Sequence, residues 1–351
     1  MRQTLLVTES VRSFTFRSFQ SRASSSPRRR PLVSSRYQAL EEQGIAPVIS
    51  LKDDGKAIPL AQALSEGGVT NIEITLRTSA ALEAIRRIKD EMPQMTVSAG
   101  TCLTKQNVDE AMEAGADFVV SPGFNEKLVQ YCLSSKIGII PGCVTASEID
   151  LGVQNGLKYF KYFPAESLGG LKAIELLCGP YRGIRFMPTG GMTYSNIGSY
   201  LASKYVLACG GSYMAGSALI EAGNFAQITE NARRAMDLSL GFSLAHVGIN
   251  NDSAEAAQSV CRRIADIFRL PIKMGNSSDF SGTYVECMKT MYYGKNGHIG
   301  FHTNSAERAL AYFRQKGLEI RPESYKCDEN GLGKFFYLKD EVGGFALHVV
   351  R

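Results

Sequence analysis

A single lysine lies at the centre of the segment Tyr159-Phe160-Lys161-Tyr162-Phe163-Pro164-Ala165. The segment is rich in aromatics and closed by a proline, and it reads as a short β-strand. Side chains alternate along a strand, so Tyr159, Lys161 and Phe163 share a face. Burial in general disfavours a charged amine, and a neutral amine is the nucleophile that forms a Schiff base with a ketone. Taken alone, a lysine in a strand is more simply a solvent-facing side chain. A second chemical signal lies in residues 71–77, Asn-Ile-Glu-Ile-Thr-Leu-Arg. Ile72, Ile74 and Leu76 form one face of that strand, and Asn71, Glu73, Thr75 and Arg77 form the other. If the apolar face packs under helices, Glu73 and Arg77 point inward, where charges are costly unless paired or used. The bland alternative is a structural Glu73–Arg77 ion pair. A third signal is the pair of glycine-rich strand ends, Thr189-Gly190-Gly191 and Gly210-Gly211-Ser212. Such loops offer backbone N–H groups to a phosphate.

The elements that must position these residues are legible as an alternation. Strand patterns fall at residues 46–51, 71–77, 96–101, 118–123, 137–143, from 159, 185–191 and 206–212. Helical patterns fall between them at 55–68, 79–92, 104–115, 125–136, 147–156, 170–177 and 194–204, with a last helix at 217–239. Eight β-α units predict an α/β fold, a (β/α)8 TIM barrel, with an open doubly wound sheet as the alternative. Barrels carry their chemistry at the C-terminal ends of the strands, which is where the glycine pairs fall.

The chain has 351 residues, enough for two domains or one large domain with an extension. Its net charge of +5 comes from one end. Residues 1–36 hold eight arginines, nine serines and one acid, and the rest of the chain carries 31 basic and 33 acidic residues. The folded body therefore has no reason to bind nucleic acid. An Arg- and Ser-rich, acid-poor start reads as an organelle transit peptide, disordered, and Arg28-Arg29-Arg30 favours the mitochondrion over the plastid. No apolar run is long enough to span a membrane. The eight cysteines are scattered without a Cys-x-x-Cys pair and read as small hydrophobes in a reducing compartment.

The segments Ile-Glu-Ile-Thr-Leu-Arg-Thr, Ala-Gly-Thr, Ser-Pro-Gly, Phe-Lys-Tyr-Phe-Pro-Ala-Glu, Met-Pro-Thr-Gly-Gly and Gly-Gly-Ser-Tyr resemble, in order and spacing, the 2-keto-3-deoxy-6-phosphogluconate aldolases. The resemblance runs from about residue 40 to 238 and bounds a barrel domain at residues 37–240. It implies a class I, Schiff-base aldolase that cleaves 2-keto-3-deoxy-6-phosphogluconate to pyruvate and glyceraldehyde 3-phosphate, as in the Entner-Doudoroff pathway. The family's activity overlaps with cleavage of 4-hydroxy-2-oxoglutarate to pyruvate and glyoxylate. The resemblance makes Lys161 the imine-forming lysine and Glu73 the proton shuttle. It puts Arg77 and Thr101 on the substrate carboxylate, with Pro122, Phe163 and Thr189 lining the site. Gly190, Gly191, Gly210, Gly211 and Ser212 would grip the phosphate. It further implies a homotrimer, a 2-keto acid as the small-molecule partner and no cofactor for the aldolase reaction.

Residues 241–351 hold all four histidines and an internal repeat. His246-Val-Gly-Ile-Asn-Asn-Asp-Ser-Ala-Glu aligns with His298-Ile-Gly-Phe-His-Thr-Asn-Ser-Ala-Glu, each reading as strand, serine cap and helix. Later strands give Gly282-x-x-x-Glu286 and Gly344-x-x-x-His348. Two βαβββ-type halves resemble the vicinal-oxygen-chelate family, which includes glyoxalase I. That resemblance implies a divalent metal held by His246, Glu286, His298 and His348, although a glutamate is more usual at the last place. His302 is expected to support or pack beside the set. A metal-dependent lyase or dioxygenase module, with the barrel secondary, is the alternative function. A ligand-sensing or oligomerisation domain is a third.

Overall fold

The computed structural model of the chain describes residues 35–329 and 331–351. The expected leader lies outside the described residues, except for its last two positions. Short α1 (Gln38–Gln43) turns through Gly44, left-handed at φ +67°, into β1 (Ile45–Ile49). The alternation then runs α2 (Ala57–Glu66), β2 (Asn71–Thr75), α3 (Ala81–Glu91), β3 (Thr96–Gly100), α4 (Lys105–Glu113) and β4 (Phe118–Val120). It continues with α5 (Glu126–Ser134), β5 (Ile139–Ile140), α6 (Ala146–Gln154), β6 (Tyr159–Tyr162), α7 (Gly170–Cys178), β7 (Arg185–Pro188), α8 (Ile197–Ala202) and β8 (Cys209–Gly211). Side-chain caps begin several of these helices: Thr104 accepts from the Asn107 N–H, Asn125 from Leu128, and Thr145 forms a capping box with Glu148.

All barrel pairs are parallel. Strands β5-β4-β3-β2-β1-β8 form one ladder and β6-β7 a second. Isolated bridges, Gly142 to Lys161 at one seam and Phe186 to Val206 and Thr189 to Gly210 at the other, join the two ladders into a ring. The structure is a (β/α)8 barrel, as the alternation predicts, rather than an open sheet. The apolar faces behave as expected: Ile72, Ile74, Val97, Ala99 and Val119 are buried under the helices with Ile85, Ile88 and Val129. The strands are shorter than their sequence patterns. In most of them the end of the pattern leaves the ladder and becomes a loop at the C-terminal end, whereas β8 (Cys209–Gly211) loses mainly its start. The helix expected at 217–239 is two helices, α9 (Ser217–Glu221) and α10 (Phe225–Leu240). Gly223 at φ +66° breaks the run, and Asn224 caps α10 by accepting from the Gln227 N–H.

The remaining elements form one eight-stranded sheet. They are β9 (Ser243–Ile249), α11 (Ala254–Phe268), β10 (Ile272–Met274), β11 (Ser278–Ser281), β12 (Val285–Met288), β13 (Gly297–His302), α12 (Ala306–Gln315), β14 (Lys326–Cys327), β15 (Gly333–Val342) and β16 (Phe345–Val350). The spatial order is β10-β11-β12-β9-β13-β16-β15-β14, so each half is βαβββ and the two first strands meet antiparallel at the centre. Ser253 and Ser305 cap α11 and α12. The two helices cover one face of the sheet through Cys261 against Cys287 and Ala309 against Phe336 and Val349.

Helix α12 also ties this sheet to the barrel. Arg308 is buried, and its guanidinium donates to the carbonyls of Leu201 and Leu207. Thr303 donates to the Leu240 carbonyl and Asn304 to that of Leu238. Leu207 and Gly44, which packs against Arg308, precede β8 and β1, so the contact is made at the N-terminal ends of the strands. Seven of the eight cysteines are buried. Among the described residues no helix is long and apolar enough to cross a membrane.

Candidate active site

Strand β6 carries Lys161 into the barrel, where the side chain is 7 % exposed. Its Nζ lies 3.0 Å from Glu73 Oε1, which β2 brings in from the other side of the ring. The solvent-facing reading of Lys161 therefore fails, and so does the Glu73–Arg77 pairing. Arg77 instead donates through Nε to Thr101 Oγ1 at 3.1 Å. The second carboxylate oxygen, Glu73 Oε2, is buried without a protein partner, so it retains the capacity to take or give a proton. Strand β3 makes room for this carboxylate by ending in Gly100. A Cβ there would stand 2.3 Å from Glu73 Oε1. Phe163 holds its ring 6.0 Å from Lys161 Nζ. Burial, and after it the nearby Glu73 charge, pushes the Cys102 thiol up to about 12, so this neighbour stays protonated and does not compete as a nucleophile.

Lys161 forms part of the wall of a cavity of about 350 Å³ that opens at the C-terminal ends of the strands. Arg77, Thr101, Pro122, Phe163, Thr189, Gly190, Gly191, Gly211 and Ser212, all named through the resemblance, line it. Two predicted residues do not line it. Glu73 sits behind Lys161. Gly210 is screened by Thr189, whose Oγ1 would lie 2.5 Å from a Cβ on that glycine. Thr101 adopts φ +62°, which is rare for a β-branched residue and marks backbone strain at the site. Ser50, Met192 and Ser217 also line the cavity and were not singled out from sequence. Ser50 follows β1 directly, so its place after the first strand was the available signal. Ser217 opens α9 and is also the first residue of the helix expected there, so a helix start shortly after the eighth strand was the available signal.

A second cluster lies in the eight-stranded sheet. His246 of β9, Glu286 of β12, His298 of β13 and His348 of β16 occupy the four central strands and project from the face opposite α11 and α12. His246 Nε2 lies 3.1 Å from the Nε2 atoms of both His298 and His348. Glu286 Oε2 lies 3.0 Å from His298 Nε2 and 3.2 Å from His246 Nε2. Two glycines create the space: a Cβ on Gly248 would meet the His298 ring at 2.1 Å, and one on Gly300 would meet His348 Nε2 at 2.6 Å. Both glycines belong to the repeated His-x-Gly motif. Burial drives the Glu286 carboxyl upward, but hydrogen bonds from His246, His298 and Ser278 together outweigh it and hold the carboxyl well below the usual range. Burial first, then His298 and His246, pushes His348 down to about 3, which leaves it neutral as a metal ligand must be. Atom separations of 3.0–3.2 Å suit donor atoms sharing one ion, since ligands at about 2.1 Å and right angles stand about 3 Å apart. The three histidines thus fit a divalent ion, with Glu286 held against two of them, His246 and His298. His302, two places along from Gly300, is exposed and not part of the convergent set.

The comparisons with known proteins concern the barrel. The family model for KDPG and KHG aldolase matches residues 37–231. The KHG/KDPG aldolase of Escherichia coli (strain K12) is 46 % identical over 193 residues, which is 55 % of this chain and 91 % of that protein. The 2-dehydro-3-deoxy-phosphogluconate aldolase of Treponema pallidum is 43 % identical over 202 residues, 58 % of this chain and 96 % of that one. Among solved structures, the Legionella pneumophila KDPG aldolase, with pyruvate captured as a covalent carbinolamine, superposes with a TM-score of 0.56 at 33 % identity. It covers 57 % of this chain and 98 % of its own.

Proposed function

Because the chain belongs to the KDPG and KHG aldolase family, we propose that it is a class I aldolase that cleaves 2-keto-3-deoxy-6-phosphogluconate to pyruvate and glyceraldehyde 3-phosphate. The observation that carries this reading is the buried Lys161–Glu73 pair, 3.0 Å apart at the wall of the barrel cavity. Glu73 accepts a proton from Lys161, and the freed amine adds to the C2 ketone. The same carboxyl returns a proton as the carbinolamine loses water to form an iminium. The C3–C4 bond then breaks: the C4 hydroxyl loses its proton, the aldehyde leaves, and the bonding pair moves into the iminium to give an enamine. Protonation at C3 and hydrolysis release pyruvate and restore the amine. Arg77, fixed by Thr101, suits the substrate carboxylate, because a guanidinium binds carboxylates with directed hydrogen bonds. The glycine loops after β7 and β8 suit the phosphate. 4-Hydroxy-2-oxoglutarate, which lacks a phosphate, is a second substrate on this reading.

Borohydride reduction in the presence of pyruvate tests the assignment. One pyruvate per chain is expected on Lys161, located by peptide mass spectrometry, and trapping that persists in Lys161→Ala would overturn it.

For the sheet module we propose a divalent-metal site formed by His246, Glu286, His298 and His348. The convergence of three imidazole Nε2 atoms and one carboxylate oxygen supports it. A bound ion would supply a Lewis acid there. Ser278 donates to Glu286 Oε1 at 2.5 Å and leaves Oε2 to face the ion. Titration of the full chain with zinc, nickel or manganese ions, followed by elemental analysis, should give one tightly held ion per chain. No retained ion would end this reading. A reading in which the module is the working part and the barrel secondary lacks support beside the Lys161–Glu73 pair.

A further inference from the structure

The loop that follows β7 is clamped by the segment that follows β6. Ala165 N–H donates to the Thr189 carbonyl at 2.8 Å and Glu166 N–H to that of Gly190 at 3.2 Å. On its other side Asn196 Nδ2 donates to the Gly191 carbonyl at 2.9 Å. Gly190 and Gly191 both take left-handed conformations, at φ +93° and +83°. The stem of Glu166 lies directly over Gly191: a Cβ on that glycine would meet Glu166 Cγ at 2.5 Å. The carboxylate of the exposed Glu166 therefore stands beside the loop assigned to a phosphate, where like charges repel. Glu166 nonetheless stays off the cavity wall. Its Oε1 accepts a hydrogen bond from Tyr200 OH, and Tyr200 is a buried residue of α8 beneath the loop.

We propose that Tyr200 is a specificity-determining, positioning residue that ties the Glu166 carboxylate away from the Gly190–Gly191 loop, so that a phosphorylated substrate is accepted there. The inference rests on the aldolase reading above, because it takes this loop as the phosphate grip. Neither residue touches the reacting atoms. Their effect is on how the far end of the substrate is held.

The decisive comparison uses the phosphorylated sugar acid and the same acid without its phosphate, with wild type, Tyr200→Phe, Glu166→Gln and the double variant. In Tyr200→Phe the carboxylate is released. KM for the phosphorylated acid should rise roughly five- to tenfold, as expected of a like charge a few ångströms from a partly solvated anion. KM for the unphosphorylated acid, and kcat for both, should stay within about twofold. Glu166→Gln/Tyr200→Phe should recover the wild-type KM for the phosphorylated acid, and added salt should shrink the Tyr200→Phe defect. A loss of the same size for both acids, no change in either, or a defect that survives in the double variant would overturn the proposal. The double variant also separates it from misfolding, because removing a charge does not repair a damaged barrel. A wild-type enzyme that ignores the phosphate would overturn the phosphate reading of the loop itself, a result distinct from the failure of the variants.

Discussion

The two clusters of this chain use similar groups in opposite ways. In the barrel, one amine and one carboxylate meet across the ring, and each has spare capacity: Lys161 faces the cavity and Glu73 keeps an unpartnered oxygen. In the sheet module, three imidazoles and a carboxylate from four adjacent strands are aimed at one another. The first arrangement performs covalent chemistry with its own atoms. The second concentrates lone pairs on one point, and an ion is the species that satisfies them all. The difference is one of stoichiometry. A lone nucleophile with a base suits a reaction centre, while imidazoles gathered beside a carboxylate suit the ion-binding site proposed above.

The contrast sets the order of the tests. Lys161→Ala should lower kcat by on the order of 10⁴-fold or more while leaving ion uptake by the module at one per chain, read by steady-state assay and elemental analysis. Glu73→Gln should cost about 10²–10⁴-fold in kcat, with pyruvate trapping slowed rather than abolished. His246→Ala, which removes the ligand nearest to the other three, should weaken ion binding by about 100-fold or more in calorimetry and leave aldolase kcat/KM within twofold. A matching fall in aldolase activity would break the independence of the two sites. Arg308→Met leaves the Leu201 and Leu207 carbonyls without their buried donor and should lower unfolding stability by about 1–3 kcal/mol in denaturant titration. The smallest effect is expected from a chelator, which should strip the module and leave the aldolase rate unchanged.

Much of the barrel site was legible because a strand's period of two separates Glu73 from Ile72 and Ile74 without any tertiary knowledge. Strand ends bearing Gly-Gly marked the cavity rim in the same way. What could not be read was cross-strand. Gly100 matters because Glu73 of the neighbouring strand needs its space, and Gly248 because the His298 ring does. A single strand's pattern holds no record of its neighbour. Gly210 is off the cavity wall for a related reason: strand order puts it at the rim, but Thr189, just past the end of β7, screens it. The four module residues are legible through the repeat, whose halves put equivalent positions on equivalent strands. Their mutual distances depend on the antiparallel meeting of β9 and β13, which composition does not encode.

The docking of α12 at the N-terminal ends of the barrel strands has a consequence for traffic. The barrel cavity opens at the opposite end, and the histidine cluster projects from the sheet face turned away from α12. A molecule released at one mouth must go around the protein through bulk water to reach the other. It is open on the way to dilution and to capture by any competing enzyme. Joining the two units in one chain therefore fixes their ratio at one to one, but it gives the sheet module no private supply of what leaves the barrel.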